Sequence, residues 1–128
     1  MPQDLRTILL IDDEASQRES MSQILRRAGY RVLTGSDCRE GIDIHRQHRG
    51  RVDLLLVDVS LPDGNGFELA KVLQGGEPRP EVLFVSGTAG AELCRFYGMS
   101  QSDVRLLHKP FDPDELAQRV KRVLQLDE

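Results

Sequence analysis

Several polar side chains stand just after short apolar runs in this sequence, and their chemistries are complementary. Asp12 and Asp13 follow Thr7-Ile8-Leu9-Leu10-Ile11, and Asp58 follows the run from Val52 to Val57. Ser86 follows the run from Glu81 to Val85, and Lys109 comes just beyond the one from Val104 to Leu107. Three carboxylates brought together repel one another, so either their pKa values rise or a cation sits between them. A hard divalent cation prefers oxygen ligands, and Mg²⁺ typically takes one or two carboxylates plus waters and phosphate oxygens. Lys109 does not fit an oxygen cage as a ligand; it fits as a point charge for an incoming phosphate. Ser86 supplies a hydroxyl donor, and Gly87 leaves its backbone N–H accessible. Such parts suit phosphoryl transfer, where catalysis is mostly positioning and charge neutralisation. A carboxylate can itself be the nucleophile and form an acyl phosphate. Asp58 is the best candidate, because it stands at the end of the central third run and a turn-rich loop follows it.

The elements that must position these groups can be read from periodicity. Met21, Ile24, Leu25 and Ala28 recur at helical spacing and Gly29 stops them. Residues 30–34 read as a second strand and residues 37–48 as a weaker helix, with Cys38, Ile42 and His45 on one side. Leu61 to Gly66 is dense in turn formers. Asn65 and Glu68 have the spacing of a capping box ahead of a helix that carries Leu69, Ala70 and Leu73 and breaks at Gly75-Gly76. The segment from Ala89 to Tyr97 is a poor helix with Gly90 inside it, and Phe96 and Tyr97 are expected to be partial core. Asp112 caps a last helix, with Pro113 at its first position, Glu115 at its third, and a stripe of Leu116, Val120, Val123 and Leu124. Five strands alternating with five helices predict an α/β doubly wound fold, a parallel sheet with helices on both faces. In open sheets of this kind ligands lie beyond the carboxyl ends of the strands. Asp12, Asp13, Asp58, Ser86 and Lys109 are therefore all expected on one rim.

Bulk properties narrow the function classes. With 128 residues the chain has the size of one domain, core roughly 5–126, and 39% apolar residues suffice for its core. The formal net charge of −4 and the lack of any long basic run argue against direct nucleic-acid binding. No apolar stretch is long enough to cross a bilayer, and Met1 to Asp4 carry no signal-peptide features, so a cytoplasmic, membrane-free protein is expected. Cys38 and Cys94 read as small hydrophobes in a reducing compartment, and the three histidines are not read as ligands.

Taken together the motifs resemble a known family. Ile8 to Glu14, Leu55 to Gly66, Val85-Ser86-Gly87 and His108-Lys109-Pro110-Phe111, in order and at this spacing, resemble the receiver domain of two-component response regulators, the CheY-like superfamily. The resemblance covers roughly residues 5–126. It implies the flavodoxin-like fold, a five-stranded parallel sheet in the order 2-1-3-4-5. It implies that Asp58 accepts a phosphoryl group from a phosphohistidine on a histidine kinase or phosphotransfer protein. Asp13 would bind Mg²⁺ directly, Asp12 through water, and Asp58 and the Ser60 backbone carbonyl would also be ligands. Lys109 would pair with the phosphate, Ser86 would swing to bond it, and the Val59 and Gly87 amides would assist. The Lys109–Pro110 bond would be cis. Phosphorylation would alter the face formed by the Ala89–Tyr97 helix, the fifth strand and the last helix. That face would control a downstream protein or output domain and could support a weak homodimer.

Three departures from the family pattern stand out. Leu106 replaces the aromatic usual three residues before the lysine, which couples to the switch hydroxyl. Ser60 and Thr88 occupy positions that tune access of water to the acyl phosphate. The run Gly98 to Asp103 replaces a tighter turn and looks more like receivers attached to hybrid histidine kinases. Two competing functions follow. One is a degenerate receiver that binds a partner without phosphorylation, favoured only by Leu106. The other is an aspartyl-phosphate hydrolase, which would place an acid where Ser60 stands. The expected protein is thus a switch that catalyses only its own phosphorylation and dephosphorylation. No output domain follows Glu128, so it either stands alone or belongs to a longer chain.

Overall fold

The computed structural model describes residues 5–126; the reading of Met1 to Asp4 lies outside them. Five strands form one parallel sheet: β1 Thr7–Ile11, β2 Arg31–Gly35, β3 Leu54–Asp58, β4 Glu81–Ser86 and β5 Leu106–His108. Their spatial order is β2-β1-β3-β4-β5, as the family resemblance implies. All five residues of β1 and all five of β3 are buried, because helices cover both faces. Alternate residues divide between two cores. Ile8, Leu10, Leu54 and Leu56 pack with Met21, Leu25, Leu116, Val120 and Val123. Leu9, Ile11, Leu55 and Val57 pack with Phe67, Leu69, Leu73 and Cys94 on the other face.

The helices are α1 Ala15–Arg27, α2 Cys38–Gln47, α3 Gly66–Leu73, α4 Ala91–Phe96 and α5 Pro113–Leu124. Helix α5 starts with the full capping box read from Asp112 and Glu115. At α3 the box is half formed: Asn65 Oδ1 accepts from the Glu68 amide, but the Glu68 carboxylate accepts from the Tyr97 hydroxyl instead of reaching back. Between β3 and α3 the turn-rich loop pairs Ser60–Leu61 antiparallel with Gly64–Asn65, a short ladder not foreseen from the sequence.

Three expectations are corrected. The third strand begins at Leu54 and not Val52. The preceding Asp53 exchanges two bonds with Thr7, its amide donating to the Thr7 carbonyl and its carboxylate accepting from the Thr7 amide. The fifth strand has three residues, because Asp103 holds a turn: its carboxylate accepts from the Arg105 amide and its carbonyl from the Leu106 amide. The segment after β4 is a 3₁₀ turn, Thr88–Gly90, followed by only six α-helical residues. On that short helix Phe96 is 81% exposed and is not core. Tyr97 does pack inward, its ring stacked on Phe67.

Candidate functional site

The carboxyl ends of β1, β3, β4 and β5 bring the predicted residues to one rim. Asp58 is the last residue of β3 and is 8% exposed. Its Oδ2 accepts from Lys109 Nζ at 2.7 Å, and its Oδ1 accepts from the Ser60 amide at 2.9 Å. Asp12 follows β1 and is 2% exposed. Its Oδ1 accepts from the Glu14 amide at 2.9 Å, while its buried Oδ2 has no hydrogen bond and lies 3.6 Å from Lys109 Nζ. Asp13 is exposed, and one carboxylate oxygen from each of Asp12, Asp13 and Asp58 falls within a 4.8 Å cluster. The acidic pair does not cap α1, whose N-cap residue is Glu14.

Burial is the largest influence on Asp12 and pushes its pKa up; the Glu14 bond and the Lys109 charge oppose it, and the neighbouring aspartates add to it. Burial pulls the Lys109 ammonium downward, but the hydrogen bond to Asp58 and the charges of Asp12 and Asp58 outweigh that and raise it. Lys109 is thus held charged between two carboxylates. Three acids against one ammonium leave an excess of two negative charges, if all are ionised, and one buried oxygen without a donor. That is the donor set and charge a hard divalent cation fits.

Ser86 is buried, and its hydrogen bonds go elsewhere than Asp58. Its hydroxyl donates to the Gly87 carbonyl at 3.0 Å, and the Cys94 thiol lies 3.7 Å from its oxygen. The Lys109–Pro110 bond is cis, as expected. A Cβ on Gly87 would make only an ordinary contact with Lys109 Cδ, at 3.9 Å. The Val59 amide, expected to serve a phosphate, instead donates to the Val85 carbonyl at 2.9 Å, continuing the β3–β4 ladder. The Ser60 amide is the one that reaches Asp58. Leu106 is buried in the core beside a cavity of about 200 Å³ lined by Ser86, Cys94, Met99 and Lys109.

Two glycines near the site were read from the sequence only as a turn former, Gly66, and a helix breaker, Gly90. A Cβ on Gly66 would come within 2.6 Å of the Asp58 carbonyl oxygen, and one on Gly90 within 2.5 Å of Ser86 Oγ. Each lets a helix or turn start directly against the rim. The only signal was a glycine where a helix former would be cheaper.

A family model for the response regulator receiver domain matches residues 8–121, and the chain belongs to that family. It is 31% identical over 119 residues to the cell cycle response regulator CtrA of Brucella ovis. That match covers 92% of this chain and 50% of CtrA, so the chain spans about half the length of the curated relatives it matches. Among solved structures it resembles a response regulator receiver protein from Sinorhizobium medicae, with a TM-score of 0.82, 27% identity and 98% of each chain covered. It also resembles the receiver domain of the hybrid histidine kinase CckA, with a TM-score of 0.75, 34% identity, and 93% and 99% of the two chains covered.

Proposed function

We propose that this receiver domain is a phosphorylation switch in a two-component phosphorelay, with Asp58 the acceptor. The observation that carries this reading is the Asp58 carboxylate, buried at a strand end, paired with Lys109 at 2.7 Å and clustered with Asp12 and Asp13. An Asp58 oxygen attacks the phosphorus of a phosphohistidine on a kinase or phosphotransfer protein. The P–O bond forms as the P–N bond breaks, and the imidazole leaves with the bonding pair and takes up a proton from water. Asp13, Asp12, Asp58 and the Ser60 carbonyl would hold Mg²⁺, which supplies charge neutralisation at the phosphoryl oxygens. Lys109 pairs with the same oxygens, and the Ser60 and Gly87 amides stand beside them. Transfer leaves no separate product of turnover, so the chain is a switch and not an enzyme in the ordinary sense. Ser60, which cannot act as a general acid at pH 7, disfavours a hydrolase.

The relay begins at Ser86, whose hydroxyl must leave the Gly87 carbonyl to reach a phosphoryl oxygen. That rotation takes it away from Cys94 on α4, so phosphorylation biases the α4–β5–α5 face as a two-state population shift. A downstream protein or output domain reads that face, which also offers a weak homodimer contact. Leu106 cannot supply the usual aromatic partner; Cys94 and the adjoining cavity occupy that part of the structure. The test is an amide NMR spectrum with and without Mg²⁺ plus beryllofluoride. Shifts at residues 58–60, 86–98 and 106–109 are expected. An unchanged spectrum would instead support a phosphorylation-independent interaction module.

A further inference from the structure

The opposite end of the sheet carries a feature that the acidic rim does not explain. At the amino ends of the strands lies an open concavity of about 800 Å³. Arg31, Arg49, Arg51 and Arg79 line it, all exposed, and none of the four has an ion pair among the described residues. Arg6 and the exposed His48 line it as well. The two acids in the lining are already engaged. Asp53 accepts from the Thr7 amide at 2.7 Å, and Glu81 pairs with Arg105 at 2.6 Å. Leaving Arg6 aside, four arginines against two carboxylates give a local excess of two positive charges in a chain whose net charge is −4. The nearby C-terminus of α2 opposes an anion with only about half a unit of negative charge, so the arginines dominate.

The concavity is not merely a solvated charged face. Arg49 has φ 55°, in the left-handed region where Gly or Asn is less strained, yet an arginine stands there. The exposed side chain of Leu5 and the ring of Pro78 line the same hollow, beside the buried Val52. Its volume falls within the roughly 300–1,000 Å³ of small-molecule sites. Guanidinium forks match phosphate oxygens two at a time.

We infer that this foot of the sheet binds a small phosphate-bearing ligand, its phosphates on Arg49, Arg51 and Arg79 and its less polar body against Leu5 and Pro78. A concave hollow that sets Leu5, Val52 and Pro78 among its arginines favours such a ligand over an extended acidic peptide. The test is an amide NMR titration of the full chain, with EDTA present so that the acidic rim holds no metal. The probes are ATP, inorganic pyrophosphate and hexaglutamate. ATP should shift the amides of Thr7, Val52, Asp53 and Glu81 saturably and leave those of residues 58–60 unmoved. Pyrophosphate should shift the same amides with weaker affinity, because it lacks the body. The double variant Arg51→Glu/Arg79→Glu, its fold checked by amide dispersion, should weaken ATP by about tenfold or more, the equivalent of one lost charge-assisted contact. Hexaglutamate binding tighter than ATP would replace the small ligand with an acidic protein partner. ATP shifts that fail to saturate, that centre on the acidic rim, or that survive the double charge reversal would overturn the inference.

Discussion

At the scale of single residues, the acidic rim crowds three carboxylates at a cost that a bound cation would offset. Asp12 is buried with one oxygen unbonded, and among the described residues only Lys109 forms an ion pair with the carboxylates of this cluster. Mg²⁺ should therefore raise the thermal midpoint at neutral pH, by the equivalent of about 2.7 kcal/mol at a hundredfold excess over its Kd. Asp13→Asn should lose most of that increment; a calorimetric scan with and without EDTA reads both. A second residue, Cys38, lies away from this chemistry. Burial is the main reason its thiol is pushed up to about 11, and the Asp63 carboxylate beside it adds to the effect. Cys38 should resist alkylation at pH 8, and Asp63→Asn should speed the reaction, as mass-mapped iodoacetamide labelling would show. The gathering of Asp12, Asp13, Asp58 and Lys109 on one rim was legible in the sequence because each directly follows or nearly follows an apolar strand. The Ser60 amide and the Ser86 hydroxyl direction were not legible, since both depend on backbone and rotamer geometry that no spacing encodes.

At the scale of elements, the loops above the rim are held by contacts between segments far apart in sequence. Asp63, in the loop after β3, accepts from the Cys38 and Arg39 amides at 2.8 and 3.0 Å and so closes the start of α2 from outside. Those bonds hold its carboxyl below the usual aspartate value. A depressed carboxyl contributes stability above its unfolded pKa and loses it as pH falls through the folded one. Asp63→Asn should accordingly lower the denaturation midpoint at pH 7, and the difference should fade as acid protonates the folded-state carboxyl. Gly90 places the 3₁₀ turn against Val59 and Ser86. Gly90→Ala should destabilise by about 1–3 kcal/mol in urea denaturation, as overpacking does, and should also displace Ser86. The sequence identified the 89–97 segment as weakly helical because of its glycines. It could not show that half of the segment is a tight turn, since that depends on the approach of Gly90 to β3 and β4. Phe96 was misplaced for the same reason: in a six-residue helix, a shift of the first residue changes which side chain faces inward.

At the scale of the whole molecule, the parallel sheet separates two charged ends, acids at the carboxyl ends of its strands and arginines at their amino ends. The order of the strands was accessible, because five apolar runs alternating with helical patterns, combined with the family's motifs, admit few arrangements. The arginine cluster was not, because Arg6, Arg31, Arg49, Arg51 and Arg79 come from four separate segments and only the fold gathers them. No helix among the described residues is long and apolar enough to cross a membrane. In the proposed switch, the signal would cross from the Asp58 rim to the α4–β5–α5 face within this single sheet. Hydrogen exchange with and without beryllofluoride should therefore differ across residues 86–106, and equal protection in both states would refute that route. The central claim rests on Asp58 itself, and its most direct test is intact-mass and peptide-mapped mass spectrometry after incubation with acetyl phosphate and Mg²⁺. One phosphoryl group on the peptide carrying Asp58, and none on an Asp58→Asn variant that keeps its fold, is the predicted result. Phosphate retained by that variant, or found on another residue of the wild type, would contradict it.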